Sequence, residues 1–363
     1  MALTDQMIDE AFDRYKREQD RYHKLAELVF QKCLDIVQKK LTIRATVQRR
    51  VKDPISFKKK LKKKESRSKY NSVDDIFSNI SDLAGVRIIT YLESDRTPVV
   101  EELKKVFIGK ATEQSPEIDI KDKDTKGKHY RATHCQIYLS DEDLGGKNEN
   151  LVGTTCEIQV CSLLAHVFNE IEHDLQYKPL SGSLSPLEDE LLNQLGLLTK
   201  AGDITIKSLL DAADTRLKNR TGEFSDVHDF VVRLRVVLEL DSKFSNNAGQ
   251  LYEELIQLGI NSPERITQEL IAGEEVLKVI ALEEYTKLKK FAIESNCEYE
   301  LEDGSSDVLL AALLRKFAEK IIENHPTGRG KGRPSRLVQI ARTYKELKNK
   351  KTTANTRLCS LAG

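Results

Sequence analysis

Four stretches hold residues whose types and spacing could do chemistry. In RVKDPISFKKKLKKKE, Pro54 suits the first turn of a helix, where a missing N–H costs nothing. On that helix Ser56 and Lys60 stand four apart and share a face, with Lys63 and Lys64 a turn further and Arg50 and Lys52 just before it. Cations and a hydroxyl gathered at a helix N-terminus favour a polyphosphate, although a lysine run alone is more often a solvated face. In SVDDIFSNISDLAGVRIITYL, Asp82 and Gly85 fall in the turn before a predicted strand that carries Arg87. A carboxylate at the mouth of a strand can hold a metal ion, and equally it can bond nearby backbone. In KHYRATHCQIYLS, Tyr130 precedes a strand in a basic entry loop, where an aromatic can stack on a nucleobase or simply be half-buried. In CEIQVC, Glu157 and Gln159 alternate with Ile158 and Val160, which puts a carboxylate on the polar face of a strand. Such a carboxylate is costly unless it has a partner, a metal or solvent.

The elements that must position these residues follow from periodicity. The stretch CEIQVCSLLAHVFNEIEHDLQYK, residues 156–178, organises the rest. Its alternation ends at Cys161, and helical spacing follows, with Leu164, Val167, Phe168, Ile171 and Leu175 as one apolar stripe. A strand therefore turns directly into a helix predicted to pack on it. Upstream, residues 4–40 read as one long helix, with Ile8, Phe12, Tyr15, Leu25, Leu28, Val29, Cys33 and Ile36 at helical spacing. LTIRATVQRRV suits a short strand. A short helix is expected over 73–79, a strand over 86–92, a helix over 99–107 and a strand over 134–139. A polar loop is expected over 112–128, with a short strand at EIDI. Beyond residue 178, two helices broken near Gly202 are expected, then a boundary at NRTGEF, a string of amphipathic helices, and a basic tail containing GRGKGRPSR.

The chain of 363 residues is long enough for two domains. Its 58 Lys+Arg balance 58 Asp+Glu, so only local patches can point to a nucleic-acid or membrane partner. No apolar run reaches the ~20 residues of a membrane span. The N-terminus lacks a signal peptide's apolar core. The six cysteines are scattered without a CxxC, so a reducing cytoplasm is the expected compartment.

Together the four stretches resemble the synthetase domain of the RelA/SpoT family, the (p)ppGpp (alarmone) pyrophosphokinases. The resemblance covers about residues 42–217 and rests on an ordered set: R-x-K-x3-S-x3-K, D-L-x-G-x-R, Y-x3-H, and E-I-Q followed by EHDLxYK. It implies an α+β fold, a mixed β-sheet flanked by helices related to nucleotidyltransferases; the amphipathic helices that follow predict an all-α C-terminal domain. It also implies transfer of pyrophosphate from ATP to the 3′-hydroxyl of GDP or GTP, with Mg2+ as cofactor. Arg50, Lys52, Ser56 and Lys60 match the family's ATP-phosphate positions, and Arg87 its arginine after the aspartate. Asp82 and Glu157 match its catalytic, metal-facing carboxylates. Tyr130 matches the tyrosine that stacks on the acceptor guanine, with His134 beside the acceptor and Gln159 after the catalytic glutamate. The expected division is an N-terminal helix over 1–41, a synthetase domain over 42–218 and a helical domain over 219–363.

Three residues depart from the pattern, all near the acceptor side: Cys161 where a basic residue is common, Ala132 where many members have Ser, and His129 where Gly is common. Acceptor identity is therefore open between guanine nucleotides and the acceptors of family toxins, tRNA 3′ ends or adenosine nucleotides. A non-catalytic nucleotide sensor is a third alternative, opposed by the intact Asp82/Glu157 pair, and homo-oligomerisation is also open. No HD-type hydrolase domain of the long members is expected before the motifs in this sequence. His173-Asp174 and His228-Asp229 lack further ligands at metal spacing. His166, Glu170 and His173 can share a helix face and mimic a metal set, but a hydrogen-bonded structural role is the expectation.

Overall fold

A computed structural model describes residues 3–110, 115–122, 129–177, 183–218, 220–240, 242–271, 276–325 and 335–359. Its contacts group into two units, one formed by residues up to Val37 with Ile43–Leu210, the other by Gln38–Thr42 with residues from Asp211 onward.

The first unit is built on a five-stranded sheet: β1 (Ala45–Val51), β2 (Ala84–Thr90), β3 (Glu117–Asp122), β4 (Arg131–Ile137) and β5 (Cys156–Ser162). The strand order is β1-β2-β5-β4-β3. Only β2 and β5 run parallel; the other pairs are antiparallel. The fold is thus a mixed sheet flanked by helices, with a further helical region after it.

Paired residues in neighbouring strands share a face, so the register sorts the chemistry. One row runs Arg50, Gly85, Glu157, Gln136, and the next Gln48, Arg87, Gln159, His134. The opposite face carries Val86, Ile88, Ile158, Val160, Cys135 and Ile137, all buried. Helix α1 (Asp5–Asp35) packs on β1, β2 and β5, and brings Cys33 close to Cys156 and Cys135. Thr4 caps α1 by accepting from the Met7 N–H, and the helix leaves through a π-turn, Ile36–Lys40.

Four short helices connect the strands: α2 (Pro54–Lys62), α3 (Lys64–Lys69), α4 (Val73–Asn79) and α5 (Arg96–Val106). Because α2 ends at Lys62, Lys63 and Lys64 do not continue its face as the sequence suggested; Lys63 has extended backbone. Ser162 both ends β5 and caps α6 (Leu163–Tyr177), its Oγ accepting from the Ala165 N–H at 3.2 Å.

Two expectations need correction here. The buried side of α6 is Ala165, Phe168, Asn169 and Glu172, while Val167, Ile171 and Leu175 are exposed. The two helices expected to break at Gly202 are one, α7 (Pro186–Leu217). Gly202 does not break it because the residue serves close packing: a Cβ there would come 2.4 Å from Leu164 Cδ1.

The second unit holds α8 (Val227–Leu238), α9 (Ala248–Gln257), α10 (Pro263–Leu270), α11 (Leu277–Glu294), α12 (Asp307–Asn324) and α13 (Arg336–Cys359) around its own apolar core. Helix α13 takes up much of what read as a basic tail; the glycine-rich part of that tail lies outside the described residues. The Gln38–Thr42 segment is held there by the Asn247 N–H donating to Lys40 O at 2.7 Å and the Gly249 N–H donating to Thr42 Oγ1 at 3.0 Å. Among the described residues, no helix is long and apolar enough to cross a membrane.

Candidate active site

The polar face of the sheet gathers most of the predicted site residues. Lys52 follows β1, and its N–H is tied to Leu83 O at 2.9 Å, across the entry to β2. Lys60 reaches the same place from α2. Both ammonium groups donate to one oxygen, Asp82 Oδ2, each at 2.7 Å. Burial by itself would raise the Asp82 pKa; the two lysines outweigh it and hold the carboxyl below its ordinary value. The other oxygen, Oδ1, is buried with no hydrogen-bond partner among the described residues.

Glu157 stands one strand away. His134 Nδ1 lies 3.1 Å from its Oε1, and Gln159 Nε2 donates to its Oε2 at 2.9 Å. Burial again pushes the carboxyl up, but the bonds from His134 and Gln159 bring it below its ordinary value against the opposing charge of Asp82. An ionised carboxylate only accepts, so Nδ1 of His134 carries a proton. On the other side of the ring Nε2 lies 2.9 Å from the Tyr130 hydroxyl, within hydrogen-bond distance. Tyr130, His134, Glu157 and Gln159 are therefore one hydrogen-bonded series.

The remaining predicted residues divide. Arg50 is exposed on β1, beside Gly85 and in the row of Glu157. Ser56 is exposed in the first turn of α2, and its N–H donates to Asp53 Oδ2 at 2.8 Å. Asp53 therefore caps the helix N-terminus expected to meet phosphate. Arg87 is engaged on the Gln159 side: Nε donates to Gln159 Oε1 at 3.4 Å, Nη2 pairs with Glu170 at 2.8 Å, and Nη1 lies 3.5 Å from His166 Nδ1. Two members of the helix-face trio thus serve an arginine. Among the described residues no group of three or more His, Cys, Asp and Glu could hold a metal.

Two of the three departures pack together. Ala132 and Cys161 form a small buried cluster with Ile89 and Ala165, and Tyr130 packs against it. Burial pushes the Cys161 thiol up to about 12, so it is neutral. Sequence reasoning missed Asp53 and the polar partners on α6 and α7, notably Asn169, Asn193 and Asp203. The capping signal of Asp53 before Pro54 was available; the others lie 38 to 72 positions from their partners, and no local pattern marks them.

The two carboxylates fit a magnesium ion. Asp82 Oδ1 is an unused acceptor, Glu157 is close and ionised, and magnesium takes one or two carboxylates together with substrate phosphates and water.

Comparison with known proteins locates the chain. A family model described as "Region found in RelA / SpoT proteins" matches residues 49–181. No curated protein matches. Similar solved structures include small alarmone synthetase 1 from Bacillus subtilis, at 20% identity, covering 56% of this chain and 99% of that one, with a TM-score of 0.44. A GTP pyrophosphokinase family protein from Streptococcus pneumoniae matches at 21% identity, covering 55% and 94%, with a TM-score of 0.43. Small alarmone synthetase 2 from Bacillus subtilis matches at 22% identity, covering 54% and 99%, with a TM-score of 0.39. Asp82, Tyr130, His134 and Glu157 all fall inside the matched span, and residues 49–181 are a RelA/SpoT-family region within this longer chain.

Proposed function

We propose that the first unit transfers pyrophosphate from ATP to the 3′-hydroxyl of GDP or GTP. The observation that carries this reading is the pairing of two differently dressed carboxylates. Asp82 is held by two lysines, while Glu157 is held by His134 and Gln159 and linked through His134 to Tyr130. A phosphate-neutralising side and an acceptor side thus meet at Asp82 and Glu157. Lys52 and Lys60, with Arg50 and Ser56 nearby in sequence, receive the ATP phosphates. The Tyr130 ring stacks on the acceptor base, and His134 and Gln159 fix Glu157 beside the acceptor hydroxyl.

Phosphoryl chemistry needs charge neutralisation and in-line positioning more than covalent help. The acceptor oxygen attacks the β-phosphorus, the bond to the α-phosphate oxygen breaks, and AMP leaves. Glu157, ionised and acceptor-only, takes the hydroxyl proton. A magnesium ion bound by Asp82 and Glu157 would neutralise phosphate charge. The series Tyr130–His134–Glu157 keeps the base oriented while the acceptor binds.

Steady-state kinetics of two variants test the division. Lys52→Ala is expected to raise the KM for ATP about tenfold, since it leaves a phosphate less neutralised, and to leave the acceptor KM within about twofold. Tyr130→Ala is expected to do the reverse. A swapped pattern would mean that the two sides are assigned the wrong way round.

A further inference from the structure

Tyr130 lies between two residues that are each fastened to α7. On one side His129 is buried, its Nε2 2.7 Å from Asn193 Oδ1, its ring edge-on to Phe168 with centroids 5.8 Å apart. The ring rests directly on Gly196. A Cβ at position 196 would come 2.2 Å from His129 Cδ2 and Cγ and 2.5 Å from its Cβ. The last of these atoms is next to the backbone and cannot swing aside, so only glycine leaves room. On the other side Arg131 pairs with the buried Asp203 at 2.8 Å. Asn169 of α6 brackets the Arg131 backbone, accepting from its N–H at 3.3 Å and donating to its C=O at 3.0 Å.

The tyrosine ring therefore has little freedom. Its neighbours are pinned at Asn193, Gly196, Asn169 and Asp203, the residue packs against the Ala132/Cys161 cluster and its hydroxyl is tied to His134. We propose that α7 sets the fit of the acceptor base, with Gly196 and His129 as positioning residues that act through Tyr130. This rests on the reading that Tyr130 stacks on the acceptor. The α7 contacts described here, at Asn193, Gly196 and Asp203, all lie beside Tyr130, so its effect is expected at the acceptor. A misplacement of the order of 1 Å can cost as much as 10²-fold where orientation matters. His129, one of the residues where the chain leaves its family's pattern, is then half of a matched pair whose other half is a glycine 67 positions later.

The test uses the full chain and titration calorimetry with GDP and, separately, a non-hydrolysable ATP analogue. Gly196→Ala is expected to weaken GDP at least about tenfold, with the ATP analogue within about twofold. Adding His129→Ala to Gly196→Ala removes the collision and is expected to recover most of the GDP affinity. Asn193→Ala loosens His129 without adding bulk and should act in the same direction, which covers the case where Gly196→Ala fails to fold. Because the chain has no Trp, Tyr130→Trp introduces a single indole whose emission reports the ring's surroundings without any nucleotide. Gly196→Ala, or Asn193→Ala, in that background is expected to shift the emission to the red. Unmoved emission, or GDP binding unchanged in folded Gly196→Ala, overturns the clamp. Emission that shifts in a protein whose unaltered form does not bind GDP leaves the clamp standing and overturns the acceptor reading instead.

Discussion

Asp82 presents its two oxygens to different surroundings. Oδ2 is shared by Lys52 and Lys60 at 2.7 Å each, while Oδ1 is buried with no partner among the described residues. In Asp82→Asn both ammonium groups lose their counter-charge and become free to meet an incoming polyphosphate. Turnover is expected to fall on the order of 100-fold or more. ATP binding measured without magnesium should hold or tighten. Substantial turnover in that variant would remove Asp82 from the mechanism. Glu157 allows a pH test. Its carboxyl lies below the ordinary value despite burial, because His134 and Gln159 bond the charged form. The ionised base is lost only as pH falls through that lowered pKa. Gln159→Leu deletes one of the two donors, so the acid limb of kcat/KM should move to higher pH. A limb that stays in place would mean that Glu157 is not the group titrating.

At the scale of elements, local spacing marks where one element gives way to the next. The switch from strand to helix at Ser162 and Leu163 is visible because a period of two gives way abruptly to a period near 3.6. The polar face of β5 was visible for the same reason. What periodicity missed depends on contacts far apart in sequence. The apolar stripe of α6 suggested burial of Val167, Ile171 and Leu175, yet α6 turns Asn169 inward to bracket the Arg131 backbone, and those three face outward. Gly202 resembles a helix breaker in isolation, and only its neighbour Leu164 shows that it is a packing glycine. Gly249 of α9 is the sharper case. A Cβ there would meet Gln38 O at 2.2 Å and Lys39 Cα at 2.9 Å, both backbone atoms that cannot rotate away. Gly249→Ala is expected to cost about 1–3 kcal/mol, read as a lower urea midpoint. At Gly202 the obstacle is the movable end of a leucine, so Gly202→Ala should cost less. Equal midpoints for Gly249→Ala and the unaltered chain would contradict the close approach of the π-turn segment to α9.

At the scale of the molecule, chemistry and charge are unevenly distributed. The chain as a whole is neutral, and the residues that could neutralise phosphate are local to β1, its exit and α2. All the residues assigned to transfer lie between Arg50 and Gln159, inside the family-matched span and on one sheet face or its rim. The candidate site's residues can be named from the sequence because they sit in short motifs with fixed spacing. The hydrogen bonds that organise them, from Tyr130 through His134 to Glu157 and from Gln159 to Arg87, required the strand register. The central claim is a single transfer reaction, and the most direct measurement follows the transferred group. The purified chain is incubated with magnesium and ATP labelled at the γ-phosphate, and offered GDP, GTP, deacylated tRNA or no acceptor. The account predicts label in a guanine-nucleotide product with one AMP formed per transfer, and on the order of 100-fold less or lower still with Asp82→Asn. Label carried instead by tRNA or an adenosine nucleotide, or no transfer to either guanine nucleotide, would contradict it.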